Sequence, residues 1–525
     1  MAGSTEHTAE PRPGIAEVLG EIRRKGVKLW SEDGQLHFRG PKGALSGEDL
    51  ANLKAHSRQI VDLLEKVSAS EPVEPRILPR SQPDHAPLSY SQLAHFHLFQ
   101  LNLGRRSLRI VASALRLRGR LNIETLERSL SLVVARHEAL RTRIVVHDGV
   151  PIQYISRSTD AAIAMEDLSG VAEGFRDIEV RRLLDHLILQ PIDVTRGPMW
   201  EMKLLRLAKD EHVLIAAMEH LISDGTSINI LFRDLLATYV HAMTGRAISL
   251  PPVTTQFPDY ATWQRSTELS WVTAHAPYWK KRLHGCSRVR FRDDRAASVE
   301  NRFGWGTLPI RIGRELKEDL RIWSCARKTT LVMTVFAVYA ALVMRWCRVS
   351  DYVFQYLSNS RTSPDLENTI GYLASTLYLR MELRDNDKFS ELVARAASEY
   401  CRAYQHADFS YLAAQVPRPE FMANSIFNWR PRGTSDIDTS GLKGGEYALT
   451  CAPVDFVFPI VSIFDIDIEP FILLADAQDE IVGDLYFPMH RFSITTMENF
   501  VRSFLGFLRV LVRHPEQRVK DIPVG

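Results

Sequence analysis

Cysteine is scarce in this chain: its 525 residues include five cysteines, and no two of them form a CxxC pair. Disulfide frameworks and thiolate metal sites need cysteines that are more numerous or more closely spaced. We therefore expect a protein of the reducing cytoplasm.

Long apolar runs and a surplus of one charge are also absent. The longest run, residues 331–344, is shorter than the about 20 residues that cross a bilayer, so it predicts a buried helix. Residues 1–14 are polar and contain prolines, unlike a signal peptide. The formal net charge of +2 gives no reason to expect a nucleic acid or an acidic membrane as partner. Composition thus predicts a soluble, cytoplasmic protein.

Several common catalytic motifs are missing as well. The sequence has no GxSxG nucleophile elbow, no GxxxxGK[ST] phosphate loop and no GxGxxG dinucleotide turn. His137-Glu138 begins like the helix of a zinc protease, but Arg141 occupies the place of the second histidine ligand. We therefore expect no metal and no permanently bound cofactor.

The chain length and the distribution of prolines indicate several domains. The chain exceeds the roughly 250–300 residues at which single cores stop growing. Residues 1–67 have the pattern of a small module: a short helix at 15–22, a hairpin whose turn lies at 32–34, and a second helix over 46–67. Five prolines mark residues 68–87 as an extended linker. The alternative is that the first module simply caps the next domain.

Beyond the linker, helical and strand patterns alternate, which predicts mixed α/β layers. The expected helices span 91–103, 123–136, 174–189, 227–243, 325–346, 389–406 and 495–512. The expected strands span 112–118, 142–146, 200–207, 212–218, 352–357, 471–474 and 481–487.

One stretch combines a buried strand, a histidine and the start of a helix. Residues 212–218 are mostly apolar, and after His220 and the pair Asp224-Gly225 apolar residues recur at helical spacing. A strand end of this kind holds an imidazole at the rim of a core. The ordinary pKa of histidine, about 6.5, suits proton transfer near neutral pH. A structural histidine without a catalytic role is the alternative.

Seven separate stretches carry a likeness to a known family. The central one is Glu219-His220-Leu221-Ile222-Ser223-Asp224-Gly225. The others are Pro87-Leu88-Ser89-Tyr90-Ser91-Gln92, Arg136-His137-Glu138-Ala139-Leu140-Arg141-Thr142, Pro191-Ile192-Asp193 with Gly197-Pro198, Asp259-Tyr260-Ala261-Thr262-Trp263-Gln264, Ile370-Gly371-Tyr372-Leu373-Ala374-Ser375-Thr376-Leu377 and His406-Ala407-Asp408-Phe409. In this order they resemble the condensation domains of nonribosomal peptide synthetases, whose signature is HHxxxDG. The likeness covers residues 87 to about 515.

The first module has a likeness of its own. Its stretches are Gly26-Val27-Lys28-Leu29-Trp30, Gly34-Gln35-Leu36 and Arg39-Gly40-Pro41-Lys42-Gly43. They resemble the β-hairpin docking domain found ahead of such enzymes, which captures a short tail on a partner that bears a carrier protein. The residues expected to contact the tail are Val27, Leu29, Trp30, Leu36, Phe38 and Lys42.

The resemblance implies a fold and a set of partners. The fold is a V of two α/β lobes similar to chloramphenicol acetyltransferase, with the active site in the tunnel between them. The lobes would span residues 88–270 and 271–525. Phosphopantetheine arms of carrier proteins would enter the tunnel from opposite faces, as substrates and not as resident cofactors.

The resemblance also implies roles for single residues. His220 would position or deprotonate the attacking nucleophile, and Gly225 would let the substrate arm approach the backbone. Asp224 would hold the loop through an ion pair with Arg361. Glu219 replaces the first histidine of the signature, and in a core its carboxylate needs a cationic or hydrogen-bonding partner. Further residues expected to line the tunnel are Ser223, Ser375, Asn428 and Trp429.

The implied reaction moves an acyl chain from a carrier-protein thioester to a nucleophile. The chain ends at Gly525 without an adenylation, carrier or thioesterase segment. We therefore expect a stand-alone, monomeric enzyme that releases a finished polyketide or peptide chain onto an alcohol as an ester. An amine acceptor that gives an amide is the close alternative. A coenzyme A-dependent acyltransferase and a non-catalytic platform for carrier proteins also remain open.

Overall fold

The structure is a computed structural model. It describes residues 28–32, 35–39, 45–58, 60–61, 77–101, 110–159, 161–190, 192–247, 250–286, 290–294, 304–359, 361, 363–407, 425–430, 449–454, 469–477 and 479–524. The chain divides into two compact units, Met1–Arg76 and Ile77–Gly525.

The first unit contains an antiparallel hairpin. Its strands are β1 (Lys28–Glu32) and β2 (Gln35–Arg39), and Leu29 lies opposite Phe38 in the pairing register. The hairpin predicted from the alternating pattern is confirmed. Of the expected tail-binding side chains, Leu36 is half-buried and Phe38 is 48% exposed. The others lie outside the described residues or have only their backbone described: Val27, Leu29, Trp30 and Lys42.

A short helix, α1 (Gly47–Ala55), follows the hairpin. Its start is fixed by a reciprocal cap, in which the Ser46 hydroxyl accepts from the Asp49 N–H and the Asp49 carboxylate accepts from the Ser46 N–H. The predicted helix start is therefore confirmed. The prediction of one helix over 46–67 is wrong, because α1 ends at Ala55 with His56 as its C-cap. Residue 67 and the earlier helix at 15–22 lie outside the described residues.

The second unit begins inside the stretch that the prolines marked as a linker. Residues 77–87 are packed against it: the Arg80 guanidinium lies 2.8 Å from Glu138 and 2.7 Å from Asp259, and its side chain is almost completely buried. Composition does not reveal such an ion pair, because its partners are distant in sequence. The expected linker is therefore shorter than 68–87 and ends before Ile77.

The secondary structure of the second unit alternates as expected. In chain order the strands are β3 (His85–Pro87), β4 (Ile110–Gly119), β5 (Thr142–His147), β6 (Val150–Ile155), β7 (Ala164–Asp167), β8 (Trp200–Ala208), β9 (Glu211–Glu219), β10 (Trp305–Ile312), β11 (Asp351–Asn359), β12 (Ala374–Glu382), β13 (Ile426–Arg430), β14 (Leu449–Pro453), β15 (Phe471–Asp476) and β16 (Ile481–Pro488). The helices are α2 (Tyr90–Leu101), α3 (Ile123–Arg136), α4 (Glu173–Leu189), α5 (Gly225–Thr244), α6 (Phe257–Ser266), α7 (Glu268–Leu283), α8 (Arg314–Ala326), α9 (Leu331–Cys347), α10 (Phe389–Tyr404) and α11 (Ile494–Arg513).

A five-stranded sheet in the order β14-β4-β9-β8-β7 forms the first layer of this unit. Its central strand β9 is buried along almost its whole length, because apolar clusters cover both faces. Leu214 and Met218 face the cluster that includes residues of α3 and α5, and Ile215 and Ala217 face the cluster that includes α4. A strand that is buried on both faces has a continuous apolar run in its sequence. This run is why β9 could be predicted. A small sheet in the order β3-β6-β5 adjoins this layer.

The second core surrounds α9, which is apolar on all sides. It lies among α8, α10, α11 and a six-stranded sheet in the order β10-β16-β15-β13-β11-β12. The buried helix predicted for residues 331–344 is confirmed. Its predicted start at residue 325 is wrong, because residues 325 and 326 belong to α8 and the turn through Lys328, with φ of 54°, separates the two helices. No single described helix is long and apolar enough to cross a membrane; α8 and α9 reach that length together but meet at 103°.

The two halves of the sequence share the first core. The strand β14 pairs with β4 in the first sheet, and Leu366, Ile370, Leu373 and Leu449 belong to the core built mainly from residues 88–260. The chain therefore crosses back after residue 270. This crossing brings residues of the second half next to the strand end that carries His220.

Candidate active site

The end of β9 holds His220 half-exposed above a buried turn. The strand ends at Glu219, and one helical turn, His220–Ile222, follows. Leu221 and Ile222 are fully buried and anchor this turn, while the Ser223 hydroxyl donates to the Glu219 carbonyl at 2.9 Å. His220 is thus anchored by buried neighbours in the chain and is itself partly exposed.

Asp224 caps the helix α5 and is itself buried. Its Oδ1 accepts from the backbone N–H groups of Thr226 at 3.1 Å and Ser227 at 2.8 Å, and also from the Ser227 hydroxyl at 2.8 Å. These bonds satisfy amides at the helix start that would otherwise lack partners. The Asp-Gly pair therefore ends the turn and begins the helix.

The predicted ion pair between Asp224 and Arg361 is confirmed. The guanidinium binds both carboxylate oxygens, at 2.8 and 3.0 Å, and the Arg361 side chain is 4% exposed. Burial alone would raise the pKa of Asp224, but the guanidinium and the hydrogen bonds from Ser227 hold it below its ordinary value. Asp224 therefore stays ionised and fully engaged, which leaves it unsuited to accept a proton from a substrate.

Arg361 also connects the cap to the second half of the chain. It donates to the Asn359 side chain at 2.7 Å and to the Thr369 carbonyl at 2.9 Å. The next residues return to the cap: the Gly371 N–H donates to the Ser227 hydroxyl at 3.1 Å. A segment of the second half is thereby fixed beside the His220 turn.

Two aromatic side chains that the sequence did not single out surround His220. The Tyr372 ring lies 4.3 Å from the imidazole, centroid to centroid, and the His95 ring of α2 lies 6.0 Å away. Tyr372 belongs to a stretch used for the resemblance, but neither residue matches a motif of catalysis. Only the folded chain brings positions 95, 220 and 372 together.

The buried carboxylate of Glu219 has a partner. Its Oε1 lies 3.1 Å from Nε2 of His95, and both side chains are almost completely buried. The expectation that Glu219 needs a cationic or hydrogen-bonding partner is confirmed, with His95 as that partner. The place of the first histidine in the signature is thus taken by a carboxylate at the end of strand β9, and the imidazole of His95 on helix α2 faces it.

The other expected site residues differ in burial and in the face of the sheet on which they lie. A Cβ added at Gly225 would meet no described atom within 4 Å, which agrees with room for a substrate arm. Ser223 is fully buried. In the second sheet, the pairing register puts Ser375 and Trp429 on the face of the helical core, and Asn428 on the opposite face. These residues therefore do not share one surface, and their contact with substrate stays a prediction.

Two motif residues outside the site, Arg136 and His137, tie elements of the first half together. The His137 imidazole lies 2.9 Å from the buried carboxylate of Asp234, and Arg136 and Arg233 bind the same carboxylate. These contacts join the end of α3 to α5. His137 thus has Asp234 as its partner, and Glu138 is paired with Arg80. Among the described residues no three histidine, cysteine or acidic side chains are grouped as a metal site would require.

A partly exposed imidazole at a strand end, four residues before a buried ion pair, suits the transfer of a proton to or from a substrate. The sequence matches the family model for the condensation domain over residues 82–524. The chain therefore belongs to the condensation-domain family, whose activity is acyl transfer. Residues 15–66 match the model of the TubC N-terminal docking domain.

The curated relatives are much longer proteins. Malpibaldin synthetase of Mortierella alpina is 28% identical over 497 residues, which is 92% of this chain and 8% of that protein. Bassianolide nonribosomal cyclodepsipeptide synthetase of Beauveria bassiana is 28% identical over 454 residues, 83% of this chain and 14% of that protein. The chain thus spans about a tenth of the length of such relatives.

Solved structures show the same fold. The SgcC5 protein of Streptomyces globisporus, in complex with (R)-(-)-1-(2-naphthyl)-1,2-ethanediol and sucrose, superposes with a TM-score of 0.69 at 26% identity and covers 82% of this chain and 100% of its own. The X-domain from teicoplanin biosynthesis has a TM-score of 0.70 at 24% identity, over 86% of this chain and 100% of its own. The expected condensation-domain fold is confirmed.

Proposed function

We propose that this enzyme transfers an acyl group from the phosphopantetheine thioester of a carrier protein to a hydroxyl acceptor, with His220 as the base. The placement of His220 carries the proposal. Of the titratable groups at this turn, Asp224 is engaged by Arg361 and Glu219 is buried against His95, and His220 is partly exposed, so we expect a substrate to meet His220.

The step balances without a covalent enzyme intermediate. The acceptor oxygen forms a bond to the thioester carbonyl carbon, and the carbon–sulfur bond breaks. The hydroxyl proton passes to neutral His220 and from there to the leaving thiolate. Base catalysis typically raises the rate by a factor of about 10²–10⁴. Alignment of two reactants can remove roughly 7–11 kcal/mol of the activation barrier, which corresponds to a larger factor in rate. Alignment should therefore contribute more than the base.

Two comparisons support an oxygen nucleophile. A cyclodepsipeptide, the product class in the name of the bassianolide synthetase, contains ester bonds, and the structure of SgcC5 holds a diol. A depsipeptide also contains amide bonds, so the same relative supports an amine acceptor as the second possibility. His220 can serve either acceptor, because both must lose a proton during the transfer.

The first unit would supply the acyl donor by capturing a tail of the carrier-bearing partner. Its two-stranded hairpin leaves an outer edge on each strand within the described residues, and an extended peptide can add to such an edge. Phe38 offers an exposed aromatic side chain on β2. Capture of this kind raises the local concentration of the carrier and leaves the chemistry at His220 unchanged.

The first experiment measures product formation by mass spectrometry. Wild type and His220→Ala are incubated with an acylated carrier protein and matched small alcohols and amines. We expect ester from the wild type and a loss of about 100-fold or more in His220→Ala. The exposed His97 of α2 provides a control, since His97→Ala should match wild type. Turnover of His220→Ala within a few-fold of wild type would show that His220 is not the base. Formation of amide without any ester would show that the acceptor is an amine and not an alcohol.

The second experiment tests the docking unit. Deletion of residues 1–67 should raise the KM for a carrier protein that carries its natural tail and leave the kcat at saturation unchanged. A carrier protein without the tail is the control, because the deletion should not change its KM. Equal KM values for the deleted and the full-length enzyme with the tailed carrier would contradict docking.

A further inference from the structure

The residues on both sides of Tyr372 are bound to the cap of α5. On one side, the Gly371 N–H donates to the Ser227 hydroxyl at 3.1 Å. On the other side, the Leu373 N–H donates to Oδ2 of Asp224 at 3.2 Å. The backbone before and after Tyr372 is thus held by the same two side chains that begin the helix.

The position of this segment is also fixed by packing. A Cβ at Gly371 would collide with the ring of Phe257, which is fully buried. The backbone therefore sits directly on an aromatic ring, and Leu373 is buried in the same core. The segment cannot move toward the core, and the cap prevents it from moving away.

The Tyr372 ring lies against the imidazole of His220. The centroids are 4.3 Å apart with an interplanar angle of 49°, and the rings of His95 and Tyr372 meet edge to face, at 90° and 5.9 Å. His95 in turn is paired with Glu219. Two rings that are themselves held in place therefore bound the imidazole.

We propose that Tyr372 is a positioning residue for His220, through which the Asp224–Arg361 ion pair and Ser227 set the orientation of the imidazole. The proposal rests on the role proposed above for His220. Ser227 and Asp224 act on the ring of His220 through residues 371–373, because the contacts of the cap with this segment lie on either side of Tyr372. A ring that is confined in this way spends more of its time in the orientation that meets the acceptor.

The kinetic test compares Tyr372→Ala with Tyr372→Phe. The alanine variant should lower kcat by about tenfold with little change in KM, because substrate binding is kept and orientation is lost. The phenylalanine variant keeps the ring and should recover kcat to within about threefold of wild type. Equal kcat in the alanine variant and the wild type would overturn the proposal.

A double-mutant cycle with Ser227→Ala tests the path. Ser227→Ala should lower kcat several-fold in the wild-type background and have almost no further effect in the Tyr372→Ala background. Additive losses would mean that Ser227 and Tyr372 act independently, and would overturn the proposal. Ser227→Ala removes a single hydroxyl and leaves Arg361 paired, so it tests the path even if variants of Asp224 fail to fold.

A second readout does not depend on turnover. The rate at which diethyl pyrocarbonate modifies His220 is followed by peptide mass spectrometry, with the exposed His97 in the same molecule as reference. Ser227→Ala should accelerate modification of His220 several-fold. In the Tyr372→Ala background, Ser227→Ala should not change the modification rate further. An unchanged rate in Ser227→Ala would contradict the path.

The two readouts separate this proposal from the proposed function. If His220→Ala turns over normally, the base role fails, while the modification rates still report whether Tyr372 orders the ring. If His220→Ala is inactive and the cycle is additive in both readouts, the positioning role alone fails.

Discussion

Two buried aspartates at the same helix have the same chemistry and different consequences. Asp224 caps α5, and Asp234 lies ten positions further along the chain, inside the helix. Both carboxylates are buried and bind arginine, and the pKa of each lies below its ordinary value although burial alone would raise it. The charge of Arg361 lowers the pKa of Asp224, and the hydrogen bond with His137, together with the charge of Arg233, lowers the pKa of Asp234. In the sequence, only Asp224 belongs to a motif, since Asp234 lies in none of the stretches that carry the resemblance.

The difference lies in their partners. Asp224 binds Arg361, which is 137 positions away and 4% exposed, and it also accepts from the backbone of the second half. Asp234 binds Arg136 and Arg233, which are 27% and 33% exposed, and so remain in contact with water. Asp224 itself therefore joins segments from the two halves of the chain, whereas Asp234 itself joins the end of α3 to α5, and only its partner Arg233 donates onward to Asn368.

The largest effect should follow from Asp224→Ala. It leaves the Arg361 guanidinium as an unpaired buried charge, which typically costs about 3–5 kcal/mol of folding stability. It also releases residues 371–373, so that activity per folded molecule should fall as well. Chemical denaturation and turnover corrected for the folded fraction would measure both. A variant with full specific activity would show that the cap does not organise the site.

Asp234→Ala is the matched substitution and should cost less. Arg136 and Arg233 can turn toward solvent, so we expect a loss of about 1–3 kcal/mol, as for a buried polar group that loses its partner. The specific activity of the folded enzyme should stay at the wild-type value. The same two measurements apply, and a loss of specific activity equal to that of Asp224→Ala would erase the distinction between the two sites.

The smallest effect is the dependence of folding stability on pH. It distinguishes the surroundings of Asp234 from those of Asp224 without a substitution at Asp224. Burial lowers the pKa of His137 more than the neighbouring Asp234 raises it. The unfolded chain therefore binds the proton more readily, and stability should decline as pH falls below about 6.5. His137→Gln should flatten this decline. Asp224 has a pKa below its ordinary value of about 3.9, so its contribution should be constant over the same range.

Denaturation midpoints of wild type and His137→Gln, measured across the pH range around 6.5, would give the difference. The remaining histidines contribute to both proteins equally, so only the difference between the two curves is informative. Parallel curves would contradict a neutral, buried His137.

Much of the fold is predictable because its signals are local. The strand β9 and the helices α3, α5 and α11 lie within one or two residues of their predicted bounds, since each has a strong apolar period or run. The sequence pattern does not predict β10, because Gly306 and Pro309 weaken it. This strand lies at the edge of its sheet, where a proline costs no internal hydrogen bond.

The site is predictable only where a motif names its residues. The strand-end histidine and the pair of Asp224 with Arg361 follow from the signature and the resemblance. His95 and Tyr372 carry no local signal: a histidine inside a helix and a tyrosine beside a glycine are ordinary in sequence. Their contacts with Glu219 and His220 join residues that are more than a hundred positions apart.

The sequence by itself determined the elements with a strong apolar period, the family and the histidine at the end of β9, because periodicity, caps and short motifs act between near neighbours. The tertiary structure decided which charges meet and which rings confine His220. The contacts of Asp224 with Arg361 and of His220 with Tyr372 form only when the second half of the chain returns to the first core, where an unpaired buried charge would be costly.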